Sequence, residues 1–270
     1  MTVTQADIER GLRELGLESE SHVLVHSSYK AFGGVDGGPI TVVRALVDSV
    51  ATLMMPAFAS HRSAVWDERG LFENNAYPAA APEGWDISQV EPFTHDTPAN
   101  PTMGIINETF RREYDVARSG NPMMSFVAYG ALARELCGAG TDIDAVEPIN
   151  RLMEATGQVL LLGVTHTNST AVHLAEQLAG REQFVRYAMT PDGVRMAMSG
   201  GCGNPFDDLQ PHVQHLERRV EVGVSTLRCY DLQPYVETAR RLIEDDPEAL
   251  LCPTTKSCVR CDAHRSRVPA

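Results

Sequence analysis

The sequence predicts an α/β protein built on a largely parallel central sheet with flanking helices. Two short apolar runs, His22-Val23-Leu24-Val25-His26 and Thr52-Leu53-Met54-Met55, enclose a stretch in which Ile40, Val43, Leu46 and Val47 recur at helical spacing. A third run, Gln158-Val159-Leu160-Leu161-Leu162-Gly163-Val164, feeds a polar turn and a helical pattern over 171–178. Strand, helix, strand in that order implies parallel pairing, because the returning chain has crossed the sheet face as a helix.

The remaining elements have local causes. Thr4 precedes an apolar stripe of Ile8, Leu12, Leu15 and Leu17 and predicts an N-cap, with Gly16 near the stop. Pro39 sits where the second helix begins, a position that needs no backbone N–H. Residues 59–100 hold both tryptophans and many prolines and polar residues, and predict a long excursion beside the substrate cleft. Helices are expected over Gly104–Glu113, Gly130–Leu136, 208–218 and 231–244, and strands over 184–199 around a turn at Pro191-Asp192-Gly193. The whole of 1–270 reads as a single domain.

With 43% apolar residues the 270-residue chain can bury a sizeable core. Its formal net charge of −13 disfavours nucleic acid or an anionic membrane surface as partner, and attracts a cationic small molecule. No run approaches the ~18 apolar residues of a membrane helix, and the N-terminus lacks the basic and apolar regions of a signal peptide. A cytoplasmic protein is expected, with its six cysteines reduced.

Chemistry concentrates after the third run. His173 and Glu176 stand three apart, on one face of the expected helix, just beyond the carboxyl end of a buried strand. A carboxylate beside an imidazole fixes its tautomer and raises its basicity, which suits proton abstraction from an amine. No G-x-S-x-G elbow occurs, so a nucleophilic hydrolase is disfavoured.

Several further stretches occur in one order along the chain: Val25-His26-Ser27-Ser28 with Phe32-Gly33, Met55-Pro56-Ala57-Phe58, Thr97-Pro98, Met103–Arg111, Arg118-Ser119-Gly120-Asn121-Pro122-Met123-Met124-Ser125, and Leu161–Glu176. Together they resemble the aminoglycoside 3-N-acetyltransferase family, and the tail Cys258–Arg265 resembles the end of some members. The resemblance implies the antibiotic N-acetyltransferase fold and transfer of acetyl from acetyl-coenzyme A to an amine of an aminoglycoside. It places the catalytic histidine at His173 and its carboxylate partner at Glu176. It puts cofactor contacts at Ser27, Ser28, Lys30, Phe32 and Gly33, and at Arg118, Ser119 and Ser125. Ser27, Ser28, Thr167 and Thr170 are candidate donors to the developing oxyanion. His26 reads either as a core histidine or as a pocket residue, and His166 either as pocket lining or as a helix cap.

Two departures bear on substrate. Asn121 stands where many members carry a histidine. In the segment 196–208, where drug-modifying members often place acidic residues, the first part is neutral. Asp207 and Asp208, or Asp67 and Glu68 with Glu83 and Asp86, are candidates to meet substrate ammonium groups. An acetyltransferase on another amine, or a silent binding protein of the same fold, are the alternatives. Cys252, Cys258 and Cys261 raise a zinc reading that Cys202 or His264 would have to complete. The resemblance implies no metal, and small buried thiols are the expectation.

Overall fold

The computed structural model describes residues 2–66 and 84–267. Its first half runs α1 (Gln5–Glu14), β1 (His22–Ser27), α2 (Pro39–Ser49), β2 (Thr52–Pro56), α3 (Ser60–Ser63), β3 (Ala64–Val65), α4 (Ile105–Glu113), β4 (Ala117–Arg118), β5 (Phe126–Gly130) and α5 (Ala133–Leu136). Next come α6 (Glu147–Glu154), β6 (Gln158–Leu162), α7 (Ala171–Leu178), β7 (Phe184–Thr190), β8 (Gly193–Ser199), α8 (Gln210–Val213), β9 (Arg218–Val222), β10 (Ser225–Asp231), α9 (Leu232–Asp245) and α10 (Val259–Arg265). The expected cap at Thr4 is a capping box: its hydroxyl accepts from the Asp7 N–H, and the Asp7 carboxylate accepts from the Thr4 N–H.

A seven-stranded sheet has the order β4-β5-β2-β1-β6-β10-β9. The α/β class holds, with parallel pairing at the centre: His22 lies opposite Thr52 and Val23 opposite Gln158. Both margins run antiparallel, with β5 on β2, β4 on β5, β10 on β6 and β9 on β10. At β9 and β10 the cause is local. Only Gly223 and Val224 separate the two strands, so the chain can only double back.

The continuous apolar character of the central strands follows from burial on both faces. Leu24, Met54, Phe126, Val159 and Leu161 point into a core shared with α6, α7 and α9. Their chain neighbours Val23, Val25, Leu53, Met55, Leu160 and Leu162 point into a second core under α1, α2 and α4.

A separate three-stranded sheet pairs β3 with β7 and β7 with β8, the last two forming a hairpin across Pro191-Asp192. The described parts of the long excursion are tied to it. Ala64 lies opposite Ala188, the Phe93 N–H donates to the Met189 carbonyl at 2.8 Å, and Trp66 meets Trp85 edge to face at 6.1 Å. Two expected helices are shorter than predicted. β5 continues to Gly130, leaving α5 a single turn, and 206–216 divides into two 3₁₀ turns around α8. Among the described residues no helix is long and apolar enough to cross a membrane.

Candidate active site

The carboxyl ends of β1, β2 and β6 lie side by side in the sheet, and β1 and β6 each lead into a 3₁₀ turn. Gly163, at the end of β6, has φ of +69°, and a Cβ there would lie 2.4 Å from the Ala31 Cβ and 2.7 Å from Ser225 Oγ. Only glycine lets the 29–32 turn close down on that strand end. The chain then makes a 3₁₀ turn at His166–Asn168 and enters α7.

His26, on β1, is 3% exposed. Its Nε2 accepts the Thr170 N–H at 3.2 Å and lies 3.1 Å from the Thr170 hydroxyl. A nitrogen that accepts an N–H carries no proton, so the ring proton resides on Nδ1. Burial, then repulsion from His173, depress the basicity of His26 to about 3. It is a neutral link between β1 and the start of α7.

His173 Nδ1 lies 2.7 Å from Glu176 Oε2. Arg181, just past α7, donates to the other carboxylate oxygen at 3.0 Å and to the carbonyls of Pro247 and Ala249. Glu176 is 4% exposed. Burial alone would raise its pKa, but the hydrogen bond from His173 and the charges around it outweigh burial and hold it below the ordinary carboxylate range. An ionised carboxylate only accepts, so Nδ1 carries the proton and Nε2 the lone pair. Among the described residues Nε2 makes no hydrogen bond. The ring is held edge-on against Phe206 at 5.0 Å, and Gly200 also packs against it.

A small cleft beside the His26–Thr170 link is lined by His26, Ser27, Pro56, Phe58, Thr102, Met103, Asn107, Asn168 and Thr170, with His173 one turn further along α7. Asn107 is 1% exposed. It joins two strand ends, donating to the Pro56 carbonyl at 2.8 Å and accepting from the Ser27 hydroxyl at 3.0 Å.

The other expected cofactor residues fall into two groups. Ser28 and Lys30 lie on the turn after β1, Phe32 is buried, and Gly33 has φ of +72°. Arg118, Ser119 and Ser125 instead face inward. The Arg118 guanidinium donates to the carbonyls of His95, Ala57 and Thr97 and twice to Ser125 Oγ, so all five of its N–H groups have acceptors inside the protein. Ser119 Oγ accepts from the Phe126 N–H, and Ser125 Oγ donates to the Ala57 carbonyl. Asn121 is equally occupied. Its amide donates to the carbonyls of Ile143 and Met198, while its oxygen accepts from the N–H groups of Met123 and Met124.

Of the expected substrate residues, His166 is 2% exposed, with Nδ1 at 2.8 Å from the Tyr235 hydroxyl and Nε2 at 2.7 Å from Gln210 Oε1. Both nitrogens are engaged in the interior, so the ring props the turn rather than lining the cleft. Asp207 accepts from the Thr165 hydroxyl and the Thr167 N–H, and Asp208 is exposed. Asp86 caps the Ser88 N–H; Asp67, Glu68 and Glu83 lie outside the described residues. Asn107, Arg181 and Gly200 were missed as site residues. Only Asn107 carried a signal, within the stretch Met103–Arg111.

The carboxyl ends of the parallel strands thus carry a small cleft, and the helix after β6 carries a base-like imidazole; known proteins share the fold. A histidine-to-alanine variant of the aminoglycoside acetyltransferase AAC(3)-IVa, solved in complex with a gentamicin, superposes with a TM-score of 0.80 at 26% identity, covering 99% of this chain and 98% of that one. AAC-IIIb, solved as a binary complex with CoASH, gives 0.75 at 25% identity, covering 91% and 97%. A prophage-derived aminoglycoside N(3')-acetyltransferase-like protein of Bacillus subtilis, YokD, is 34% identical over 182 residues, 64% of each chain. The chain spans between 59% and 65% of the length of the first curated relatives it matches. The family described as aminoglycoside 3-N-acetyltransferase matches residues 24–244, and with the fold in agreement, the chain belongs to that family.

Proposed function

We propose that this protein is an acetyl-coenzyme-A-dependent N-acetyltransferase acting on an amine of an aminoglycoside, at the 3-amino position that the family name denotes. The observation that carries the reading is the 2.7 Å contact between His173 Nδ1 and Glu176, with Arg181 on the far oxygen. It leaves the Nε2 lone pair to take a proton. A substrate ammonium must lose one before its nitrogen can attack a thioester. The amine nitrogen bonds to the acetyl carbon, the carbon–sulfur bond breaks, and coenzyme A leaves as thiolate. A thiolate is a good leaving group, so no covalent enzyme intermediate is needed. His173 is the general base and Glu176 the residue that orients it.

Coenzyme A is assigned to the strand-end cleft and the 27–33 turn, in keeping with the CoASH complex of AAC-IIIb. In this reading Arg118, Ser119 and Ser125 support that surface from behind. An aminoglycoside as acceptor is supported by the net charge of −13 and by the gentamicin complex of the AAC(3)-IVa variant. One observation favours a less highly charged amine as a second reading. The segment 196–206 is neutral, and Asp207 is engaged by Thr165 and Thr167.

Thiol release from acetyl-coenzyme A, followed across a panel of aminoglycosides and simpler polyamines, tests both. Turnover with at least one aminoglycoside is expected. Turnover confined to simpler amines would transfer the assignment to the second reading, and silence with every amine would refute the activity.

A further inference from the structure

The tail of the chain is held by few apolar groups. The small core beneath it consists of Cys202, Leu251, Cys252 and Cys261, with Cys258 packed against them. Four cysteines from two distant stretches thus meet where larger apolar side chains would ordinarily pack. Their sulfurs all lie within 4.8 Å of one another, and Cys202 Sγ is 3.8 Å from Cys252 Sγ.

Those distances have a chemical meaning. Zinc–sulfur bonds of ~2.3 Å put the sulfurs of a regular tetrahedron about 3.8 Å apart. A disulfide instead requires ~2.05 Å and would divide four cysteines into two close pairs. Cys258 and Cys261 have the two-residue spacing of a metal knuckle, Cys252 precedes them by a short turn, and Cys202 arrives from the loop after β8. The Cys252 N–H donates to Cys261 Sγ at 3.3 Å, a contact that stabilises a thiolate. A zinc ion with four thiolates carries two net negative charges, and two arginines stand beside the cluster. Arg260 donates to the Gly201 carbonyl at 3.0 Å and Arg265 to the carbonyl of Cys252.

We infer that Cys202, Cys252, Cys258 and Cys261 form a structural zinc site that fastens the C-terminal helix α10 to the loop carrying Gly200 and Gly201. Four protein ligands close the coordination sphere, so the site is not a reaction centre. Binding releases the thiol protons to solvent. Its place in the fold gives it a purpose, because Gly200 packs on the His173 ring and Gly201 lies beside Glu176 and His264. In this inference the sequence expectation of no metal gives way to the position of Cys202, the one of the two possible completions, Cys202 or His264, whose ligand atom joins the other three sulfurs.

Metal analysis of the full chain, purified without chelator, tests the site independently of any enzymatic activity. Stoichiometric zinc is expected, together with six reduced thiols by mass spectrometry after denaturation in chelator. Replacing zinc by cobalt should give the intense visible bands of a tetrahedral thiolate site, and Cys261→Ser should lose both metal and bands. If that variant fails to fold, zinc stoichiometry and cobalt spectrum of the unmutated protein decide alone. Metal-free protein, disulfides among these four cysteines, or iron in place of zinc would overturn the assignment.

Discussion

Gly200 leaves no room for a side chain against His173. A Cβ built on it would lie 2.6 Å from both Cγ and Cδ2 of the imidazole. The glycine has no left-handed backbone requirement, so the cost of a side chain there is steric and falls on the ring. Gly200→Ala should fold, yet displace the base. A misplacement of ~1 Å can cost about 10²-fold in rate, so kcat should drop by at least about tenfold with KM changed far less. Steady-state kinetics with circular dichroism as the folding control would show it, and unchanged kcat would count against His173 as base.

His173→Ala should lose ~10²–10⁴-fold in turnover while calorimetry still detects binding of both substrates. Glu176→Gln should lose less, because the imidazole remains. The acid limb of the kcat/KM profile should vanish in His173→Ala. Should the acid limb survive in His173→Ala unchanged, the proton acceptor lies elsewhere.

The buried link between His26 and Thr170 sets an acid limit on stability. The folded-state value near 3, against 6.5 for the free side chain, means that the unfolded chain binds the extra proton first. Stability is therefore lost as pH falls from 6.5 toward 3, and this group contributes about 2 kcal/mol of loss between pH 7 and pH 5. Glu176, whose folded value is also depressed, adds its own loss lower on the acid side. Urea unfolding at the two pH values should show the slope, and His26→Gln, neutral throughout, should lack the His26 part of it.

Arg118 should prove a structural residue. Removing its side chain strands the carbonyls of His95 and Thr97 that it now bridges and leaves the Ala57 carbonyl to the Ser125 hydroxyl alone. Arg118→Ala should destabilise by at least about 3 kcal/mol, and Arg118→Lys should not rescue it, since an ammonium offers three donors where five are used. Any weakening of coenzyme A binding should follow the loss of stability. A variant of wild-type stability that no longer bound coenzyme A would instead mark Arg118 as a direct contact.

What the sequence conveyed and what it withheld divide along a physical line. Thr4 and Pro39 announced helix starts because caps depend on a few adjacent residues. The run Val159–Leu162 announced a strand because it is buried on both faces. His173 and Glu176 were legible because helical geometry alone makes positions three apart neighbours. Pairing direction was not: nothing within Ser225–Asp231 says that it will run against β6. The inward turn of His166 depends on Tyr235, 69 positions away, and Cys202 meets Cys252 across 50. Arg118 has the composition of a phosphate ligand, and only the fold shows its donors already in use.

Among the described residues the two sheets share no ladder. One carries the strand ends around which His26, Thr170 and His173 are locked together, and the other carries the hairpin and the start of the long excursion. Mutations can therefore accumulate in the second without disturbing the register of the first. A lineage built this way can explore new acceptor molecules while inheriting its proton-transfer geometry unchanged, and sequence drift should be fastest in Ala64–Val65 and 184–199 and slowest in 22–27 and 158–176.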